Sequence, residues 1–266
     1  MKIAIYQSGS GSGPDKEQRL SDLALQAAQA RSDGAALLLC PEMFLCGYNI
    51  GRSGVVERAE TIGGPSQQII AALARRTGIA IAAGFAERGA DGRHYNSAVL
   101  FDADGKRRLH HRKLHLYGDL DREMFSPGNH LPLVAEWNGI QVGILICYDA
   151  EFPEAARVLA LSGCDLLLVP TALMDPFSRV AHILIPARAM ENQIFVAYAN
   201  RCDREGDLTY CGQSVICGPK GDLARADRSE GLIIADLDFQ ELTQSRLANP
   251  YLQDRRADAY GAVLAE

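Results

Sequence analysis

The chain has 266 residues, 47% of them apolar and 23% charged, with a net charge of −6. That balance excludes a nucleic-acid-binding surface built on charge, and no apolar run reaches the roughly 18 residues of a membrane span. Seven cysteines at irregular spacing include no CxxC pair, and the N-terminal stretch is too short for a secretory signal, so free thiols in a reducing cytoplasm are expected.

The segment Lys2–Gln7 reads as a first strand, followed by a Gly/Ser/Pro loop. Roughly helical spacing of Leu20, Leu23, Leu25 and Ala28 predicts a helix over Lys16–Ser32, stopped by Gly34. Residues 35–40 (AALLLC) form a buried-strand pattern ending at Pro41-Glu42. Pro65 opens a helix to about Arg76, and 79–85 and 95–101 are strands around a Gly/Asp turn. Asp104-Gly105 predicts a hairpin into a strand over 106–111.

A strand over 140–146 runs directly into Cys147, and Pro153 starts a helix that ends before Gly163. Further strands are expected at 166–169, 195–200, 214–217 and 232–235, the last two joined by a turn at Gly218–Gly221. A helix over 180–192 should kink or start late at Pro186. The tail from Asp238 reads as a short helix and an extended arm. The pattern is mixed α/β, with no linker and no internal repeat, hence one domain over 1–266.

Three of these strands end at a residue capable of chemistry: Glu42, Lys113 and Cys147. Sites in α/β sheets gather at the carboxyl ends of strands. A thiol, a carboxylate to take its proton and an ammonium to hold an oxyanion form a complete set for acyl transfer. The start of the following helix would also favour a thiolate at Cys147. Each residue alone has a plainer reading: a core cysteine, a loop carboxylate, a basic surface strand. His110, His111 and His115 raise the alternatives of a Cys–His protease or a metal site, but neither has the required spacing, and no metal is expected.

The three stretches CPEMFLCGYNI, HRKLHLYGDLDREMFSPG and ILICYDAEFPE resemble, in order, the three signatures of the nitrilase superfamily of carbon–nitrogen hydrolases. Glu42 and Lys113 stand 71 residues apart, and Lys113 and Cys147 stand 34 apart, which fits that family. LVPTALM, ARAMENQIFVAYANR and YCGQSVICGPKG extend the likeness over nearly the whole chain. The wording is most similar to small aliphatic amidases of the 5-aminopentanamidase kind.

The resemblance implies a four-layer α-β-β-α sandwich, no cofactor, a homodimer or larger homo-oligomer, and a small-molecule amide substrate. It implies Cys147 as nucleophile, Glu42 as base, and Lys113 with the backbone N–H of Tyr148 as oxyanion donors. Where many members carry a second glutamate, this chain has Asp121, with Asp119 and Glu123 nearby. Tyr48, Asn49 and Thr171 are candidate pocket residues. An ω-amino amide such as 5-aminopentanamide would need a carboxylate for its amine, with Asp119, Glu151 and Asp175 as candidates. Arg188 with Glu191, and Glu154 with Arg157, read as structural ion pairs. Cys40, Cys46, Cys164, Cys211 and Cys217 read as packing residues. Rival readings are a nitrilase, an N-carbamoyl amine hydrolase, or a non-catalytic binding partner on the same fold.

Overall fold

The alternation of Lys2–Gln7 sorts its side chains between two cores: Ile3 and Ile5 face one apolar cluster, Ala4 and Tyr6 another. Both faces of the strand are therefore covered, which is why its neighbours read as continuous apolar runs rather than alternating ones. The computed structural model describes residues 1–9 and 15–260. The first sheet contains β1 (Lys2–Gln7), β2 (Leu37–Leu39), β3 (Ala80–Arg88), β4 (His94–Phe101) and β5 (Arg107–Arg112). The second contains β6 (Val134–Trp137), β7 (Ile140–Ile144), β8 (Leu166–Pro170) and β9 (Phe195–Ala199). A small hairpin, β10 (Arg204–Glu205) and β11 (Leu208–Thr209), stands apart from both, and β12 (Val215–Gly218), β13 (Gly221–Arg225) and β14 (Gly231–Asp236) follow.

The strand orders are β14-β1-β2-β3-β4-β5 and β13-β12-β9-β8-β7-β6. Leu37, Leu39, Val142, Ile144, Leu166 and Leu168 meet in the cluster between the sheets. Helices α1 (Lys16–Ser32) and α2 (Gly51–Arg58) are followed by α3 (Pro65–Thr77), and α1 and α3 cover the outer face of the first sheet. After α4 (Gly118–Met124), helices α5 (Pro153–Leu161) and α6 (Ile185–Asn192) cover the second, and α7 (Phe239–Ala248) follows β14. This is the four-layer α-β-β-α sandwich.

Local chemistry sets the element ends. The Asp15 carboxylate caps α1 by accepting from Gln18 N–H at 2.7 Å. Pro153 occupies the first turn of α5, where its missing N–H costs nothing. Pro186 acts likewise in α6: a π-helical turn over Val180–Leu184 precedes it, so the α-helix proper starts late.

The expected hairpin between 214–217 and 232–235 is not formed. The Gly218–Gly221 turn instead leads from β12 into β13, and β14 leaves that sheet to pair antiparallel with β1. The helices α2 and α4 and the strand β6 stand where no regular element was expected. Beyond α7 the chain makes two short helical turns, Tyr251–Asp254 and Ala257–Tyr260, rather than an extended arm. The Gly/Ser/Pro loop expected after β1 falls largely on residues 10–14, outside the described residues, as does the end of the tail. Among the described residues no helix is long and apolar enough to cross a membrane.

Candidate active site

Three connections position the candidate side chains. After β2 the chain turns at Cys40-Pro41 into Glu42, whose N–H donates to the Thr171 carbonyl beyond β8 (3.3 Å), tying one sheet to the other. Gly84 of β3 makes room: a Cβ there would lie 2.5 Å from the Met43 nitrogen and 2.9 Å from Glu42 Cα. Lys113 follows β5, its N–H bonded to Asn96 O and its carbonyl to Gly128 N–H, both at 2.8 Å. Cys147 follows β7 in the opposite sheet. It opens a 3₁₀ turn, Cys147–Glu151, with its own backbone in the left-handed region at φ +47°.

These connections bring the ionisable groups together. Lys113 Nζ donates to Glu42 Oε1 (2.8 Å) and to Asp121 Oδ2 (2.7 Å), and Glu42 Oε1 also accepts from Asn96 Nδ2 (2.7 Å). The Tyr48 ring centroid lies 5.7 Å from the ammonium. Glu42, Lys113 and Asp121 are at most 1% exposed. Burial works against the charge on Lys113, but Glu42 above all, helped by Tyr48, Asp121 and Cys147, holds its pKa well above the usual lysine value. Burial pushes the Glu42 carboxyl up, Lys113 opposes this and Asp121 adds to it. Glu42 Oε2 and Asp121 Oδ1 are buried without a hydrogen-bond partner among the described residues.

Burial, then the neighbouring Glu42 charge, push Cys147 far above the ordinary thiol range; Lys113, the Thr171 hydroxyl and the Ala172 N–H only partly offset them. That direction favours the protonated thiol, so a nucleophilic role for Cys147 would call for a base beside it. Its sulfur opens onto a cavity of about 120 Å³ walled by Tyr48, Tyr117, Met174 and Phe177, with Glu151 as its carboxylate. A carboxylate and a fixed ammonium beside a thiol that lines an apolar cavity of that size make a set able to carry out acyl transfer on a small substrate.

The sequence model of the carbon–nitrogen hydrolase family matches residues 2–247. The chain belongs to that family. Over 269 aligned residues this hydrolase is 50% identical to "Hydrolase in pqqF 5'region" of Pseudomonas protegens, covering 98% of the present chain and 90% of the relative. It is 37% identical to an (R)-stereoselective amidase of a Pseudomonas species, covering 96% and 92%. An amidase from Nesterenkonia sp. AN1 superposes with a TM-score of 0.84 at 35% identity, over 98% of both chains. That structure is of a glutamate-to-glutamine variant with acrylamide added at the active-site cysteine. The fold is that of the nitrilase superfamily.

Several residues singled out from the hydrolase's sequence lie elsewhere. Asp119 is on the surface, its side chain 91% exposed beside Arg122. Asp175 forms a two-pronged pair with Arg228 at 2.8 and 2.9 Å, which leaves it engaged. Asn49 shapes its loop: its N–H and amide bond Glu205 and Asp207, while Tyr48 beside it lines the cavity. Thr171 lies beneath the sulfur and donates to the Tyr198 hydroxyl at 3.0 Å. The Tyr148 ring packs edge-on against Tyr117 and Phe152. Arg188 pairs with Glu191 as expected, and it also bonds the carbonyls of Ala150 and Glu151. Arg157 turns to Glu191, not to Glu154. Cys40, Cys46, Cys164, Cys211 and Cys217 are buried among apolar neighbours.

Four polar residues around the site were missed. Asn96 supports Glu42, and Asn200 holds the cavity wall by bonding both N–H and carbonyl of Leu173. Glu205 accepts from the Tyr48 N–H and the Tyr210 hydroxyl. Asp149 accepts from His111 and His115. Asn96 and Asn200 had a readable signal, a polar residue inside or at the end of an apolar strand.

Proposed function

We propose that this hydrolase cleaves the C–N bond of a small aliphatic primary amide, giving a carboxylate and ammonia through a thioester on Cys147. The observation that carries the reading is the buried Glu42–Lys113 pair beside Cys147, which itself lines a small apolar cavity. Glu42 takes the thiol proton as sulfur attacks the amide carbon. Lys113 and the Tyr148 N–H stabilise the oxyanion, and Asp121 holds Lys113 in place. Glu42 then hands its proton to the departing nitrogen, and ammonia leaves. With its carboxylate restored, Glu42 takes a proton from water as that water attacks the thioester. The same proton returns to sulfur as the acid is released.

The cavity supports an ω-amino amide. Of the three carboxylates considered for an amine, Glu151 alone lines the cavity, near the rings of Tyr117 and Phe177, which can also face a cation. Burial raises the Glu151 pKa, with Lys113 and Arg188 opposing, so a cationic partner would complete its surroundings. Ammonia release from 5-aminopentanamide, pentanamide, pentanenitrile and an N-carbamoyl amine, with Cys147→Ala as control, tests both statements. The amides should be turned over and the control should be silent. Undiminished release by Cys147→Ala would end the mechanism, and equal kcat/KM for the two amides would end the amine reading.

A further inference from the structure

Lys113 and Cys147 sit on strand ends of different sheets, β5 and β7, so no ladder of backbone hydrogen bonds fixes their spacing. The oxyanion donor and the nucleophile must nonetheless be held in a defined relation if an ammonium is to meet a tetrahedral intermediate on sulfur. We propose that Asp149 is the positioning residue that holds Lys113 in register with Cys147, through four hydrogen bonds from the lysine segment and a fifth that closes the nucleophile turn on itself.

The geometry is specific. Asp149 is fully buried and lies two residues after Cys147. Its Oδ1 accepts from Leu114 N–H at 3.1 Å, His115 N–H at 2.9 Å and His115 Nδ1 at 2.8 Å. Its Oδ2 accepts from His111 Nε2 at 3.1 Å and Ile146 N–H at 3.2 Å. The donors bracket Lys113 on one side and immediately precede Cys147 on the other. A carboxylate only accepts, so both imidazole nitrogens facing it donate. Burial opposes its charge, but His111 and His115 together keep the carboxyl far below its usual range. The far end of the turn is pinned separately, by Arg188 on the carbonyls of Ala150 and Glu151.

An asparagine at 149 cannot reproduce this. Whichever way its amide turns, the nitrogen meets backbone N–H groups that can only donate: Leu114 and His115 on the Oδ1 side, Ile146 on the Oδ2 side. The expected result is a loosened register rather than a lost binding pocket, since Asp149 is not among the cavity-lining residues.

This inference rests on the acyl-transfer reading above, and the test separates the two. Kinetics of Asp149→Asn on an amide, normalised to folded protein, should show kcat lowered about a hundredfold with KM changed by less than about threefold. The affinity of a substrate-like aldehyde, which forms an oxyanion-bearing hemithioacetal on Cys147, should fall in step with kcat. His115→Phe is the milder variant. It keeps the ring stacked on Phe152 (centroids 4.0 Å apart) and removes one donor, so kcat and aldehyde affinity should fall together by a smaller factor. If Asp149→Asn does not fold, His115→Phe carries the test. Parent-like kcat and aldehyde affinity in whichever variant folds, with only the melting temperature lowered, would overturn the assignment. Failure of the wild type to depend on Cys147 would overturn the acyl-transfer reading instead.

Discussion

Glu42→Gln isolates the base from the rest of the site. The glutamine keeps an acceptor oxygen for Lys113 and Asn96, and its amide nitrogen takes the place of Oε2, which has no hydrogen-bond partner among the described residues. Lys113 retains Asp121, so the loss of stability should stay within about 1–3 kcal/mol, the scale of one weakened hydrogen bond to a charge. Catalysis should lose far more. A positioned general base is worth about 10²–10⁴ in rate, or about 3–5 kcal/mol, and here the same group must also protonate the departing nitrogen. The thiol itself should remain reactive. Glu42 is one of the influences that raise the Cys147 pKa, and its removal leaves Lys113 to favour the thiolate. The assay is therefore twofold: ammonia release from an amide, and the mass shift on alkylation by iodoacetamide, which needs no leaving-group proton. Turnover should fall by two to four orders of magnitude while Cys147 is still alkylated. Turnover within about tenfold of the parent would refute Glu42 as the base. Loss of alkylation in a folded variant would refute the account of the thiol.

Glu151→Gln should raise KM for 5-aminopentanamide by about tenfold or more and leave pentanamide unchanged. In the same assay Asp175→Asn should leave both substrates unaffected and shift stability by under about 1 kcal/mol, because its pair with Arg228 is solvent-exposed. Gly84→Ala places a methyl against the Met43 and Glu42 backbone; a melting curve should show a loss of about 2–4 kcal/mol, and turnover should fall with it. For acid stability, burial would raise the Glu87 carboxyl, but hydrogen bonds from His110 and Arg112 outweigh this and lower it to about 2. Its contribution, about 2 kcal/mol after screening, is complete above the unfolded-state pKa near 4.3 and is lost as pH falls toward 2. Urea titrations between pH 5 and 2 should show a shallower decline in Glu87→Gln than in the parent.

The helices of ordinary composition were legible because their ends carry their own chemistry. Asp15 and Gly34 frame α1, and Pro153 starts α5. The helix α2 was not, because GRSGVVER has two glycines and no sustained apolar periodicity, and its N-cap makes no side-chain bond. The helix α4 is seven residues long and also starts without a side-chain cap. The path of β14 could not be read either. Its alternation fits any neighbour, and its choice of β1 over β12 is a matter of topology, not of local preference. At the site, Glu42, Lys113 and Cys147 were visible as strand ends. The support Asp149 was not, since an aspartate in CYDAE reads as a turn residue until His111 and His115 are brought to it from the other sheet. The burial that governs Cys147 was not legible for a similar reason. Proximity to a helix start is local information, whereas burial is a property of the assembled fold.

The left-handed backbone at Cys147 means that its neighbours impose a conformation the residue would not choose for itself. Glycine adopts that region freely. Cys147→Gly should therefore give a hydrolase that is inert yet melts higher than Cys147→Ala, a ranking that inverts the usual one for these two residues. Any redesign that kept this turn with glycine in place of the thiol would be freed from the strain, so the proposed reactivity of Cys147 would be held at the expense of rest.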